Sequence, residues 1–375
     1  MQFRNVKISE HQAIKNLYEE FYGQNYCEVE FGYYKWLHYD NPYHDLAAEG
    51  DELTAFGAFD GDRLISCINY VPFRMFIGEQ WFKSCWSVGW RVYDDHPGVA
   101  GLLLKRQIRN FDFYMSMGAT QWVKTIYTTQ FGFTYQHNIP RSVMVGDDVV
   151  CRDLLARNPE LAGQDLSRLG VWADQTRQAA EGAETYSITD FGSLSPRYWT
   201  EHRARCRATV SKEPVIMEWR YFRHPAMGYD IISGDANQDS GIAVLRTEAM
   251  RDSDVKIVRL VEFMPSRGGE ARLAGAVARY LLDRKAAFAD FFCGSSPVIG
   301  QLPVPFVAGE AHHPYRFPRM FQPLEWRERY SINASFRRAS NRADLPEIGL
   351  NDVYFTKGDP SQDILLNREY VTKLL

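Results

Sequence analysis

The sequence predicts an α/β (α+β) fold made of two similar domains in tandem, each a mixed, mostly antiparallel sheet flanked by helices. The first observation is an internal repeat. A tryptophan and a proline six residues apart occur as Trp36–Pro42 and again, 183 residues later, as Trp219–Pro225. The same offset carries the alternating segment 3–8 onto 186–191. Two matches at one offset indicate a duplicated domain, and a chain of 375 residues can hold two domains of ordinary size.

The second observation is the order of elements in the first copy. A strand is followed by a helix, a meander of strands, a glycine turn, a helix and a last strand. Ser9 is expected to cap the first helix, in which apolar residues recur every four positions, and the second helix is expected to contain Leu104 to Met115 and to end at Gly118. The strands are predicted at 3–8, 54–59, 63–73, 75–77, 80–93 and 121–129.

These patterns divide the chain into three segments. We predict a first domain over 1–150, a charged helical linker over 151–184, and a second domain with a C-terminal tail over 185–375. The second copy repeats the plan of the first. Its strands are predicted at 241–247 and 256–264, and its long helix at 271–291.

Composition argues against several classes of function. Basic residues number 43 and acidic residues 47, so the net charge is −4, which disfavours a nucleic-acid binder. No apolar run approaches the roughly 20 residues of a membrane span. The first residues lack the apolar core of a signal peptide, and we therefore expect a cytoplasmic protein. The six cysteines form no CxxC pair and there is no HExxH motif, so we expect neither a disulfide framework nor a metal site.

A glycine turn carries the main chemical signal. The strand that ends at Tyr93 is followed by Gly98, Val99, Ala100 and Gly101, and then by an apolar helix. The unpaired N–H groups at a helix N-terminus form a site for a diphosphate, since the helix dipole is positive there. Small residues let a phosphate approach the backbone closely. We therefore predict that these four residues bind a diphosphate.

This turn resembles the acyl-CoA loop of the GCN5-related N-acetyltransferase (GNAT) superfamily, which follows the fourth strand with the pattern Arg/Gln-x-x-Gly-x-Gly/Ala. Gly98 and Ala100 match the two small positions. Asp95 stands where Arg or Gln is typical, and its carboxylate would repel a phosphate. The resemblance implies two GNAT-like domains with acyl-CoA on the first. It also implies that the fourth strand holds the pantetheine and the thioester oxygen through Trp90, Val92 and Tyr93.

The second copy lacks the glycine pattern. Glu270 stands where the first loop glycine would align, and its carboxylate competes with a diphosphate for the helix N-terminus. A tandem chain of this kind resembles the N-acyltransferases of dTDP-linked 3-amino-3,6-dideoxyhexoses, with likeness at Trp36–Pro42 and in the tail 352–363. This implies acetyl-CoA or 3-hydroxyacyl-CoA as donor and a nucleotide-linked amino sugar as acceptor, in bacterial surface polysaccharide (lipopolysaccharide O-antigen) synthesis. A homodimer is left open.

The reaction needs a neutral amine and a proton for the leaving thiolate. His137 is our first choice as the base, because it follows the predicted strand 121–129 and an ordinary histidine titrates near pH 6.5. Direct loss of the proton to water is the alternative. Tyr127 is the candidate acid. Candidate acceptor-binding residues offer aromatic faces, bidentate cations or partners for sugar hydroxyls: Gln130, Phe131, Tyr135, Arg316, Arg337 and Asp359.

Other interpretations stay open. The aromatic residues are also consistent with core packing, the late arginines with ion pairs to nearby glutamates, and Asp359 with an ordinary turn. A rival enzyme class is the tandem aminoacyl transferases that use aminoacyl-tRNA, but these need a basic surface, which the net charge does not favour. A third hypothesis is a catalytically inactive module that binds a sugar nucleotide or CoA, and Asp95 is its best support.

Overall fold

Two mixed sheets organise the chain, which was analysed as a computed structural model that describes residues 1–23, 27–157, 165–249, 253–308, 317 and 332–361. The predicted fold class is confirmed: both sheets are flanked by helices. The elements of the first half are β1 (Gln2–Lys7), α1 (His11–Tyr22), α2 (Phe31–His38), β2 (Glu52–Asp60), β3 (Arg63–Ile77), β4 (Gln80–Val92), α3 (Val99–Gln107), β5 (Phe113–Met117), α4 (Gln121–Gln130) and β6 (Thr134–Gln136).

The second half begins with a connecting region whose helical character was predicted, and then repeats the plan of the first. Its elements are β7 (Arg141–Val145), α5 (Asp148–Ala156), α6 (Arg168–Ala180), β8 (Tyr186–Ser187), α7 (Arg197–Arg205), β9 (Ala208–Val210), α8 (Pro214–Met217), β10 (Asp230–Ser233), β11 (Gly241–Ala249), β12 (Lys256–Pro265), α9 (Glu270–Asp283), β13 (Ala286–Phe292), α10 (Ser296–Gly300), β14 (Val307–Ala308), β15 (Ala334–Arg338) and β16 (Val353–Tyr354).

The two sheets share an order of seven strands in which one strand comes from the other half of the chain, and β9 and β16 of the second half also join the first sheet through the pairing of β9 with β3. The first sheet has the order β1-β2-β3-β4-β5-β15-β6, and the second has the order β8-β10-β11-β12-β13-β7-β14. Strand β15 therefore completes the first sheet from the C-terminal side, while β7 completes the second sheet from the N-terminal side. The matching order supports a duplication. The boundaries predicted at 150 and 185 do not separate the two sheets, because both exchanged strands lie across them.

The helices of the first half lie on opposite faces of their sheet. Helix α1 packs with Leu64 and Cys67 of β3, whereas α3 and α4 pack with their neighbours Ile65 and Ile68. Side chains of a strand alternate between the two faces, and a β-bulge shifts that alternation at Ile65, because Ala58 of β2 pairs with Ser66 while Phe59 pairs with Leu64. The result is a sheet with α1 and α2 on one side and α3 and α4 on the other.

The segment 121–129 is helical, so the prediction of a strand there is wrong. Helix α4 begins after Thr120, whose hydroxyl accepts a hydrogen bond from the N–H of Val123. Threonines favoured the strand prediction, but in the structure they donate to carbonyls one turn back, as Thr125 does to Gln121. Such hydrogen bonds let β-branched residues sit in a helix.

Two predicted helices end earlier than expected, and a buried strand follows each. The helix expected to reach Gly118 ends at Gln107 and is followed by β5, and the helix expected over 271–291 ends at Asp283 and is followed by β13. Every residue of these two strands is buried. A fully buried apolar run cannot be told from a helix by periodicity, and this is why the sequence pattern misled us.

The repeated tryptophans meet where the two halves of the chain pack together. The rings of Trp36 and Trp219 stack with their centroids 4.6 Å apart, and the indole N–H of Trp219 donates to the carbonyl of Trp36. Equivalent positions of two copies meet in this way when the copies face each other about an approximate two-fold axis. Both side chains are buried, which indicates a structural role for them.

Within the described residues, none of the helices is both long and apolar enough to cross a membrane. The same part of the chain shows no group of three His, Cys, Asp or Glu side chains arranged to hold a metal ion.

Candidate active site

Strands β4 and β5 separate in the middle of the first sheet. They run parallel and stay paired as far as Ser87 and Ser116, but β4 continues to Val92, and in this stretch β3 is its only strand partner among the described residues. A β-bulge lies at the same point, because Asn69 of β3 pairs with Gly89 while the next residue pairs with Ser87. A bulge redirects the strand that carries it. The sheet therefore opens a gap beyond Ser87.

Tyr127 lies at the start of this gap. It is buried on α4 between the rings of Trp90, at 6.2 Å, and Phe133, at 4.4 Å. Burial raises the pKa of the Tyr127 phenol, and side-chain hydrogen bonds with Ser87 and Ser116 oppose that rise. The phenol thus contacts the last paired residue of each separating strand and keeps its proton at neutral pH. It is placed to donate a proton to an atom in the gap.

Two glycines beside the gap have no explanation within the protein. Gly98 is the residue that precedes α3 and Gly101 lies in its first turn. A Cβ at either position would meet no atom within 4 Å, and neither backbone has a positive φ. A helical glycine costs up to about 1 kcal/mol relative to alanine. Neither packing nor backbone geometry requires these glycines, so a ligand can approach the backbone at both positions.

An open groove of about 1020 Å³ runs along this face of α3. Gly98 and Gly101 line one side of it, and the turn that contains Gln130 and Phe131 lines the other. The remaining wall includes four cations and, among the described residues that line it, no carboxylate: Lys105, Arg109, Arg337 and Arg338. Its charge and its size suit an extended polyanion.

The two arginines of β15 are only partly satisfied by the protein. The guanidinium of Arg337 donates to the carbonyl of Phe131 at 3.0 Å, and burial lowers the pKa of this side chain. The Nε of Arg338 is buried and has no hydrogen-bond partner in the described part of the chain. A buried donor without a partner costs about 1–3 kcal/mol, which a bound anion would recover. Arg337, expected to bind the acceptor, therefore lies in the groove that contains the glycines.

The predicted strand residues also border the gap. Trp90 and Val92 point toward α3 and α4, and the indole N–H of Trp90 is buried with no partner among the described residues. Tyr93 follows the end of β4, and its ring lies under the guanidinium of Arg63, 4.7 Å away. Arg63 also lies 3.5 Å from Asp95, so the carboxylate expected to repel a phosphate is next to a cation.

His137 does not enter the gap. Strand β15 lies between Met117 and Gln136, so His137 is two strands, or about 10 Å, from the end of β5. The ring is exposed; its Nε2 lies 3.2 Å from the Nζ of Lys124, and it meets the ring of Tyr135 edge-on. The structure thus places His137 and Tyr135 beside α4 at the surface and gives no support to His137 as the base.

Asp359 is also not placed to bind a sugar. It is buried, and its two oxygens accept hydrogen bonds from the ammonium of Lys212, at 2.6 Å, and from the backbone N–H of Thr356, at 2.7 Å. A buried carboxylate with these partners anchors the chain. Arg316 lies outside the described residues.

A narrow cavity on the opposite face of the sheet was not predicted from the sequence. It holds about 30 Å³ of water-accessible volume. It abuts β4 at Val88, the residue next to Ser87, so the gap in the sheet lies between this cavity and the groove. Its walls come from α1, α2 and a C-terminal segment: Tyr18, Glu28, Val29, Tyr33, Tyr34, Leu37, His38, Asn69, Val88, Pro360 and Ser361.

Comparison with known proteins identifies the first of the two folds. Residues 2–133 match the family model described as an acetyltransferase (GNAT) domain. This segment of the chain is therefore similar to GNAT acetyltransferase domains. None of the curated proteins matches the sequence. The expectation of a GNAT-type, acyl-CoA-dependent acyltransferase is therefore confirmed at the level of this domain.

Solved structures resemble both halves together. The chain is similar to a GCN5-related N-acetyltransferase from Anabaena variabilis, with a TM-score of 0.55 and 11% identity over 90% of this chain and 72% of that one. It is similar to a conserved protein of unknown function, a probable N-acyltransferase, from Enterococcus faecalis (TM-score 0.50, 9% identity, 82% and 70% covered). It is also similar to a GCN5-related N-acetyltransferase from Kribbella flavida, with a TM-score of 0.50 and 10% identity over 90% of this chain and 71% of that one. These likenesses concern the fold.

The second half differs from the GNAT domain at the corresponding helix. Glu270 is the first residue of α9, and its carboxylate contacts the guanidinium of Arg205 at 2.5 Å. The structure of the protein itself explains the glycines here, because Gly268 has a φ of +80° and a Cβ at Gly269 would lie 2.6 Å from the backbone of Ser240. In contrast to Gly98 and Gly101, they need no ligand to explain them.

Proposed function

We propose that the chain is an acyl-CoA-dependent N-acyltransferase that binds one acyl-CoA, in the groove of its GNAT domain. The observation that carries this proposal is the pair of open glycines, Gly98 and Gly101, beside a wall of four cations. The diphosphate would bind the N–H groups at the start of α3, where the helix dipole favours an anion. The cations would bind the remaining phosphate charge. The internally explained glycines of α9 and the Arg205–Glu270 pair support a single site.

The residues around the gap supply the chemistry. The thioester would lie between β4 and β5 beyond Ser87, where the described residues give the N–H groups of β4 no strand partner on the β5 side. Backbone donors fixed in this way stabilise the oxyanion that forms when an amine attacks the carbonyl. Tyr127 would donate its proton to the departing sulfur. Since His137 lies away from the gap, we propose that the amine loses its proton to water.

The second part of the proposal concerns the acceptor of the acyl group. A nucleotide-linked amino sugar, the prediction from sequence, would have its diphosphate held by arginines. Arg337 and Arg338 line the cofactor groove instead, and Arg316 and Arg319 lie outside the described residues. What supports an amine acceptor of some kind is the cavity at Val88, which lies across the gap from Tyr127.

Calorimetric titration with acetyl-CoA tests the cofactor site. We expect the wild type and Gly32→Glu to bind, and Gly98→Glu to lose binding, because the added carboxylate enters the diphosphate position. Gly32 is a matched control, since it lies in the first turn of α2 and a Cβ there would also meet no atom within 4 Å. Equal affinity in the two variants would refute the placement of CoA. Release of free thiol from acetyl-CoA with an amine present then tests turnover.

A further inference from the structure

His38 presents one ring nitrogen that the protein does not use. Its Nδ1 lies 3.0 Å from the hydroxyl of Thr54 and 3.2 Å from the carbonyl oxygen of Tyr70. The Thr54 hydroxyl donates its own proton to the backbone carbonyl of His38, so toward the ring it accepts. Both neighbours of Nδ1 are therefore acceptors, which assigns the ring proton to Nδ1 and a lone pair to Nε2.

That lone pair belongs to a residue of the narrow cavity. His38 is 2% exposed and lines the cavity, and Nε2 has no hydrogen-bond partner in the described part of the chain. Burial lowers the pKa of His38 to about 3, so the ring is neutral at physiological pH and carries no charge that would repel a cation. The cavity thus contains a fixed, neutral acceptor.

A carboxylate in the wall of the cavity also suits an amine. The carboxylate of Glu28 contributes an anion to the wall. A primary amine offers only donors when it is protonated, and it needs acceptors of this kind.

The size of the cavity limits what carries the amine. A water molecule needs roughly 10–15 Å³ of such volume, so about 30 Å³ is room for two or three waters or for a slender chain of similar length. Val29, Leu37 and Val88 line it with apolar groups that suit methylene carbons. An amine attached directly to a six-membered ring would bring a much wider group against these walls.

The second half of the chain closes this cavity. Ser361 lies in its wall with a φ of +59°, a strained value for a residue other than glycine. Its hydroxyl accepts a hydrogen bond from the buried guanidinium of Arg220 at 3.1 Å, and the preceding turn is anchored by Asp359 on Lys212. A residue keeps a strained backbone conformation where the contacts around it hold it in place. The acceptor cavity therefore depends on residues from both halves.

We propose that this cavity receives the acceptor as a primary amine on an unbranched methylene chain, with Nε2 of His38 accepting one of its N–H bonds. This rests on the acyl transfer proposed above. The ammonium loses one proton to water, its nitrogen forms the C–N bond as the C–S bond breaks, and a second nitrogen proton passes to solvent. Tyr127 protonates the thiolate and is reprotonated by water. The net products are an amide, free CoA and one proton.

Two matched amines test the acceptor class. n-Butylamine carries its nitrogen on a methylene group, whereas cyclohexylamine carries it on a ring carbon. We expect thiol release from acetyl-CoA with n-butylamine to exceed that with cyclohexylamine by at least tenfold in kcat/KM. Equal rates, or a preference for the ring-borne amine, would overturn the proposal and would favour a sugar acceptor.

A substitution at His38 tests the residue. In His38→Asn the side-chain amide can still donate to Thr54 and Tyr70, but the acceptor at the Nε2 position is lost. We expect the KM for n-butylamine to rise about tenfold, as expected for the loss of one hydrogen bond, with the affinity for acetyl-CoA unchanged. His38→Gln, whose longer amide reaches the Nε2 position, should recover part of this loss if it folds.

Direct calorimetry separates this inference from the proposed function. If the wild type fails to bind acetyl-CoA, the proposed function is wrong, and titration with n-butylamine alone still tests the cavity. Binding of n-butylamine by the wild type and weaker binding by His38→Asn supports the assignment. No binding by the wild type, or equal binding by both proteins, overturns it.

Discussion

Substitution of Gly101 by alanine should change stability and cofactor affinity in opposite directions. Gly101 lies in the first turn of α3, has no positive φ, and would meet no protein atom within 4 Å with a Cβ added. Alanine is favoured over glycine in a helix by up to about 1 kcal/mol, and the unfolded chain also loses entropy. We therefore expect the free energy of unfolding to rise by about 0.5–1 kcal/mol.

The same methyl group should weaken the binding of CoA. If a diphosphate lies against the backbone at Gly101, the added carbon enters a filled space, and an extra methyl group in a close-packed contact costs about 1–3 kcal/mol. This corresponds to a roughly 5- to 150-fold increase in Kd. Urea unfolding measures the first effect and calorimetric titration with acetyl-CoA the second.

Gly32→Ala provides the control for both measurements. Gly32 lies in the first turn of α2 with the same open surroundings, so the stability should rise there too, with no change in Kd. An unchanged or improved affinity in Gly101→Ala would refute the inference that the ligand lies against this glycine. A loss of stability would refute the reading that nothing in the protein occupies the space.

Further outcomes follow from the same structure. Tyr127→Phe should lower kcat for thiol release about 100-fold or more with little change in the Kd of acetyl-CoA, whereas Tyr135→Phe, at the surface, should leave both unchanged. Arg337→Leu should weaken acetyl-CoA binding and reduce its dependence on salt, which titration at two ionic strengths measures. Burial lowers the pKa of both His38 and His202 to about 3, so the unfolded chain binds more protons than the folded chain below pH 6.5. The free energy of unfolding should therefore fall by about 2 kcal/mol per histidine as the pH is lowered from 7 to 5, and the urea midpoint should fall with it. An unchanged midpoint would contradict this.

Local sequence was informative where one element carries the signal. The glycine turn at 98–101 was placed at the start of a helix after the fourth strand, because small residues, a preceding alternating strand and a following apolar helix are all read within a short window. Glu270 at the corresponding helix start was likewise found from alignment of the two copies. The repeat itself predicted two similar folds, and seven strands of the first sheet follow the same order as the seven strands of the second.

Local sequence patterns did not predict the pairing of strands that are distant in the chain. The exchange of β7 and β15 places each in the sheet of the other half, and no local pattern encodes a partner more than about 140 residues away. As a result Arg337, which is far from Gly101 in sequence, lies across the groove from it. The same distance in sequence hid the contribution of Ser361 to the cavity beside α2.

The sequence by itself determined the kind of fold, its duplication and the position of the phosphate turn, since each depends on periodicity and residue type over a few turns or strands. The tertiary structure alone decided which side chains share a site. In the folded chain His137 lies at the surface, Asp359 is buried against Lys212, and Nε2 of His38 is an acceptor that the described residues do not use. Hydrogen-bond partners and burial are properties of packing between distant segments, and they set the chemistry that a residue can perform.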